Sequence, residues 1–194
     1  PMPLQIGHGQ LSIQEFLMDG LMDNYRFLAR YNAWFNGRLF EACERLDDAV
    51  RKAPRGAFFG SIHGTLNHIL WGDMMWLGRF AVQPEGQGAG LPAALLALPE
   101  GARHETELHA DWAVLRAHRA ELDAAIEAWL ASVPDGFAQR RMRYHNTKGV
   151  AREHPAWQAL THLFNHQTHH RGQVTTLLSQ AGVDVGVTDL IALV

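Results

Sequence analysis

Apolar residues recur every three or four positions along four long segments of the chain, and this spacing constrains the fold more than any other feature. A period near 3.6 residues places apolar side chains on one face of a helix. The segments cover residues 17–46, 61–80, 105–130 and 156–180. Ser61 is the expected N-cap of the second helix, and Gly182 follows the fourth as a stop signal. The pattern predicts an all-α fold, an up-down four-helix bundle.

The connections between these segments are also readable. The Gly/Pro-rich stretch QPEGQGAGLP, residues 83–92, cannot continue a helix, and AALLALPEG after it is expected to form one helical turn. The stretch RRMRYHNTKGVAREHP, residues 140–155, predicts a small β-hairpin with its turn at residues 146–149. The apolar tail, residues 185–194, is expected to pack on the bundle. We therefore expect a single domain over residues 1–194, with the hairpin just before the last long helix.

Composition excludes several functional classes. The net charge is −3 and no Lys/Arg run exceeds two residues, which argues against a nucleic-acid partner. The lone cysteine, Cys43, permits no internal disulfide and suggests a reducing compartment, where we expect it to serve packing. No basic segment followed by an apolar stretch opens the chain, and no apolar run reaches the roughly 20 residues of a membrane span. We expect a cytoplasmic protein that acts on a small molecule.

Histidines cluster in the fourth segment. Of the twelve histidines, four lie in LTHLFNHQTHHRGQV, at positions 162, 166, 169 and 170. At 100° per residue they share one stripe of a helix about 100° wide. Two histidines four residues apart can reach the same metal ion. The spacing leaves two such pairs open, His162 with His166 and His166 with His170.

A third ligand must come from another helix. The second segment offers His68 in TLNHILWGD, whereas His63 points about 140° away from it. Three histidines with an open fourth position are typical of a reactive metal centre, and neutral imidazole suits zinc, nickel, iron or copper. The chain lacks the Glu-x-x-His pairs of di-iron bundles and the His-Glu-x-x-His motif of zinc proteases.

Three stretches carry a resemblance to a known family: LARYNAWFNGRLFEACERL, FFGSIHGTLNHILWGDMMWLGRF and LTHLFNHQTHHRGQVTTLLSQAG. Over nearly its whole length the chain resembles the DinB family of damage-inducible, DinB/YfiT-like metalloproteins. The resemblance implies a four-helix bundle, a homodimer and one divalent metal ion per chain, zinc, nickel or iron. It implies His68, His166 and His170 as ligands, which selects the second pair. Arg171 and Gly172, in the family's unchanged HHRGQ run, are expected to serve helix packing or a salt bridge.

Three functional hypotheses follow. In the first, which the resemblance implies, the protein is a thiol-dependent S-transferase for small electrophiles, and its metal holds a low-molecular-weight thiol in deprotonated form. In the second, it is a metal-dependent hydrolase that uses metal-bound hydroxide, with Asp73 as general base. In the third, it is a non-catalytic metal-binding protein of the stress response. The sequence assigns no catalytic residue.

Polar neighbours of the ligands are expected to orient them or the substrate. A metal-bound imidazole needs a partner for its other ring nitrogen. Position on the predicted helices selects five candidates for this role: His162, His169, Asn67, Asn165 and Asp73.

Overall fold

The computed structural model describes residues 13–84, 86 and 91–194, with side chains from residue 20 onward. Outside the described residues lie residues 85 and 87–90 of the Gly/Pro-rich loop and residues 1–12. The expectation that no leader opens the chain refers to residues 1–12. The helices are α1 Ile13–Glu44, α2 Asp48–Lys52, α3 Ile62–Ala81, α4 Ala93–Leu96, α5 Trp112–Ser132 and α6 Ala156–Gln180. The strands are β1 Arg141–His145 and β2 Ala151–Pro155. The predicted helical bundle and its hairpin are confirmed.

The helix ends show how local sequence sets them. Ser61 caps α3 as predicted, because its Oγ accepts a hydrogen bond from the amide of Gly64 at 3.0 Å. The predicted start of the third long helix at residue 105 is wrong. Asp111 caps α5 instead, with its Oδ1 accepting from the amide of Val114 at 2.9 Å. Residues before this cap form a loop that reaches α3.

The core lies between the four long helices. α1 packs against α5 and α6, and α3 packs against α6. Each long helix contributes fully buried leucine or isoleucine side chains to the core, including Leu39, Ile62, Leu122 and Leu178. Burial of one such side chain stabilises the fold by about 1.5–3 kcal/mol. No helix in the described part of the chain is long and apolar enough to cross a membrane.

A buried polar cluster joins the long helices inside this core. Arg119 donates to Asp73 and Asp123, at 2.7 Å in both cases. Asn36 donates to both carboxylate oxygens of Asp123, at 3.0 and 3.1 Å. Arg171 donates to Asn32 and stacks over the rings of Tyr31 and Phe35, so it serves packing as expected. The sequence patterns did not reveal this cluster.

The hairpin places its first strand against α3. β1 and β2 pair antiparallel, with Arg141 opposite Pro155 and His145 opposite Ala151. In the turn, Asn146 Oδ1 accepts from the amides of Lys148 and Val150, both at 3.0 Å. The Tyr144 ring meets Trp76 of α3 at a centroid distance of 5.4 Å. The hairpin therefore forms one wall of the space beside α3.

The C-terminal tail packs on the bundle only in part. Tyr31 Oη donates to the carbonyl of Thr188 at 2.6 Å, and Val185 lies against the core. Ile191 and Val194 are exposed. The predicted packing therefore holds for the first residues of the tail.

Candidate metal centre

Three imidazoles from two helices converge on one point. Nε2 of His68, on α3, lies 3.0 Å from Nε2 of His166 and 3.1 Å from Nε2 of His170, both on α6. The ligand atoms of the three side chains all lie within 4.8 Å of one another. The structure thus brings together the three histidines selected from the sequence, and together they could hold one metal ion.

The outer nitrogens fix which ring atoms are free to bind a cation. His68 Nδ1 lies 2.9 Å from the carbonyl oxygen of His104, which can only accept, so Nδ1 carries the proton. His170 Nδ1 likewise donates to Gln173 Oε1 at 2.7 Å. The Nε2 lone pairs of both rings therefore face each other at short range. Such an arrangement repels unless a cation lies between them, so the donor set fits a divalent metal.

Burial keeps these rings neutral. It lowers the pKa of His68 to about 4, and burial together with the neighbouring histidines lowers the pKa of His166 to about 3. The pKa of His170 is also lowered, mainly by burial. Neutral imidazole is the form that binds a metal, so no proton has to leave at neutral pH.

Gly72 makes room for one of the ligands. A Cβ at this position would lie 2.6 Å from Cε1 of His166, which is closer than carbon atoms approach. His166 Nδ1 has no hydrogen-bond partner among the described residues, so contact with α3 is what holds its ring. Sequence reasoning missed Gly72. The available signal was a glycine inside a helix, where it costs about 1 kcal/mol relative to alanine.

Phe59 covers another side of the centre. Its ring stacks on His68 at a centroid distance of 3.7 Å and meets His170 edge-on at 5.4 Å. It lies in the loop between α2 and α3, in the segment FFG. The ring shields the imidazoles from water on this side. Its role depends on a tertiary contact that no spacing in the sequence reveals.

Two of the predicted neighbours lie beside the triad on the exposed side of α6. His162 is exposed, with its ring 5.0 Å from Trp76 and 5.8 Å from His166. His169 is exposed as well, with its ring 4.7 Å from His170. Gln173, rather than either histidine, bonds a ligand nitrogen directly.

Two asparagines have different positions. Asn67 is buried and holds the loop before α5, because its Oδ1 accepts from the amide of His109 at 2.9 Å and its Nδ2 donates to the carbonyl of that residue at 3.2 Å. This loop carries the His104 carbonyl that orients His68. Asn67 thus supports the centre indirectly. Asn165 is exposed on α6.

Asp73 does not belong to the centre, contrary to the sequence-based expectation. Its side chain is fully buried and accepts from Arg119 and Gln167 in the polar cluster. Burial raises its pKa to about 6 despite the adjacent guanidinium. Five residues along a helix correspond to 500°, so Asp73 and His68 face different ways. The general base of the hydrolase hypothesis is therefore committed elsewhere.

A cavity of about 790 Å³ opens beside His166. Aromatic side chains of Trp71 and Trp76 from α3 and of Tyr144 from β1 form much of its wall. Its volume falls in the range of small-molecule sites, roughly 300–1,000 Å³. Cys43 does not line this cavity. It is buried in the core, and burial raises the pKa of its thiol to about 12.

A helical bundle with three converging histidines, one of which lines a cavity, defines a class of candidate metal-binding bundle proteins. The model of the DinB family matches residues 22–193, and the chain belongs to this family. It is 27% identical over 177 residues to Protein DinB of Bacillus subtilis (strain 168). The matched region covers 87% of this chain and 92% of that protein. The comparison with solved structures found no match.

Proposed function

We propose that this chain is a metal-dependent S-transferase that joins a low-molecular-weight thiol to a small electrophile. In the overall reaction the thiol sulfur forms a bond to carbon, and the leaving group departs with its electron pair while the thiol proton is released. The observation that supports this most directly is the convergence of three neutral imidazole nitrogens beside a cavity large enough for two small reactants.

His68, His166 and His170 would hold the metal ion, for which zinc, nickel and iron are the candidates. When bound, it would supply positive charge that favours the thiolate form of a thiol. The chain's own groups keep the ligands in place: the His104 carbonyl and Gln173 fix two rings, and Phe59 excludes water from one side.

The lining of the cavity favours an external nucleophile. Among the described residues that line it there is no cysteine, serine or carboxylate. Cys43 is buried in the core with a raised pKa, so it cannot supply a thiolate at neutral pH. A co-substrate thiol fits this setting better than a covalent protein nucleophile. The hydrolase alternative is weaker, because Asp73 is engaged with Arg119.

The first experiment measures bound metal by elemental analysis in protein without a histidine tag. We expect about one ion per chain, lost in His68→Ala, His166→Ala and His170→Ala. His145→Ala is the matched control, because this histidine is exposed on the hairpin. A folded wild-type chain that takes up no added metal would overturn the proposal.

The second experiment tests thiol chemistry at the site. The protein is loaded with cobalt, and glutathione, cysteine or bacillithiol is added while the visible spectrum is recorded. We expect a new sulfur-to-metal charge-transfer band and thiol consumption when an activated aryl halide is added. Metal occupancy without either signal would favour the non-catalytic hypothesis and refute the S-transferase.

A further inference from the structure

The cavity beside His166 is positively charged as well as aromatic. Arg79 of α3 and Arg103 of the loop before α5 both line it. None of its described lining residues is acidic. A cavity lined by two arginines and, among its described lining residues, by no carboxylate attracts an anion.

Arg79 is held in place by its neighbours but has no carboxylate partner among the described residues. Its guanidinium lies 4.6 Å from the ring centroids of both Trp76 and Tyr144, and Nη2 donates to the carbonyl of His145 at 3.2 Å. Burial lowers its pKa, and no carboxylate offsets that effect. Arg143, on the neighbouring strand, is instead paired with Glu153. An arginine held by two rings and one carbonyl keeps further N–H groups, and the guanidinium group pairs well with a carboxylate.

The distance from the triad to Arg79 sets the length of the ligand. Arg79 follows Gly72, the residue that contacts His166, by seven positions, which corresponds to about 10 Å along the helix. Met75 and Trp76 lie between these two points and line the same cavity. A molecule that joins them therefore has a reactive end at the histidines, an apolar middle and an anionic end.

We propose that the site takes a small organic carboxylate whose apolar body lies along Trp76 and whose carboxylate binds Arg79. Arg103 adds positive charge at the same wall. This inference rests on the proposed function, since it assigns the substrate class of that reaction. The carboxylate belongs to the electrophile or to the thiol co-substrate; Arg79 would recognise it in the same way in either case.

The test is direct binding, measured by isothermal titration calorimetry, of 4-phenylbutyrate and its uncharged amide. Wild-type protein should bind the carboxylate about tenfold or more tightly than the amide, the size expected for a charge-assisted hydrogen-bonded pair. Arg79→Gln should abolish this difference, and Arg79→Lys should retain part of it. Arg116→Gln is the control, because Arg116 is an exposed partner of Glu44 outside the cavity.

Two results would overturn the proposal: equal affinity of wild-type protein for the two probes, or an undiminished difference in Arg79→Gln. A merely structural role for Arg79 would weaken the binding of both probes alike.

Competition identifies the source of the carboxylate. Displacement of 4-phenylbutyrate by glutathione but not by cysteamine assigns it to the thiol, and displacement by neither assigns it to the electrophile. The titration needs no turnover, and metal content is measured on the same samples, so failure of the S-transferase is recognised separately.

Discussion

The backbone of Gly72 in α3 lies directly against the imidazole of His166 in α6, with only 2.6 Å between the position of an added Cβ and Cε1 of the ring. This contact sets how closely the two helices approach at the metal centre. Since His166 Nδ1 has no hydrogen-bond partner in the described part of the chain, this packing contact is one of the restraints on its ring.

Gly72→Ala should therefore displace His166 and weaken metal binding by about tenfold or more, the effect of disturbing a ligand's support. Metal affinity is measured by competition with a chromogenic chelator. Gly78→Ala is the matched control on the same helix, because its added Cβ meets nothing within 4 Å. That variant should keep its affinity and gain about 0.5–1 kcal/mol of stability from helix propensity. Unchanged metal affinity in Gly72→Ala would contradict this account.

Phe59→Ala should accelerate metal loss. The ring covers His68 at 3.7 Å, and without it water and chelators reach the ligands more easily. We expect release to an excess of chelator to be about tenfold faster, in line with other changes next to metal ligands. The adjacent Phe58→Ala is the control, since that side chain is 76% exposed. Equal release rates in the two variants would show that Phe59 does not shield the centre.

The fold was predictable because helix periodicity is written in the apolar spacing. The start of α5 was not predictable from this spacing. The apolar spacing extends back to Leu108, but the side chain of Asp111 caps the helix and so sets its first residue. Spacing predicts which face a residue occupies, but it does not predict which local hydrogen bond competes with the helix. The tertiary position of the loop then follows from its bonds to α3.

From helical spacing the candidate ligands were predictable only as a set, and the resemblance to the DinB family made the choice among them. His162, His166 and His170 are spaced alike, so spacing alone could not choose between the two pairs. The choice depends on where α3 meets α6, which is a property of packing. The same holds for Gly72 and for the Gln173 contact with His170, because both roles arise from neighbours brought together by the fold.

The buried cluster around Arg119 predicts a large stability effect. Arg119 is 3% exposed and bonds two buried carboxylates, so Arg119→Ala would leave Asp73 and Asp123 without their cation. Removing one partner of such a pair costs about 3–5 kcal/mol. Urea unfolding measures the change. Arg116 is also an arginine, three positions away on the same helix, but it is exposed. Arg116→Ala should therefore lower the free energy of unfolding by no more than about 1 kcal/mol. A similar cost for both variants would disprove the role assigned to the cluster.

Metal-free protein should lose stability as the pH falls from about 6.5 to about 4. The unfolded pKa of histidine is 6.5, whereas burial lowers the folded pKa of His68 to about 4 and that of His166 to about 3. At these two histidines the unfolded chain binds more protons than the folded chain in this window, which makes the free energy of unfolding rise with pH. Asp73, whose pKa burial raises to about 6, has the opposite effect below that pH, and the two histidines outweigh this single group. Each of the two histidines contributes a slope of up to about 1.4 kcal/mol per pH unit.

Urea unfolding with chelator present, from pH 4.5 to 7.5, gives the slope of the free energy of unfolding against pH. His166→Gln should reduce it, and His145→Gln, a change at an exposed site, should not. A slope that is identical in wild type and His166→Gln would mean that His166 titrates normally, and that its ring is not held in the buried position from which it would bind a metal.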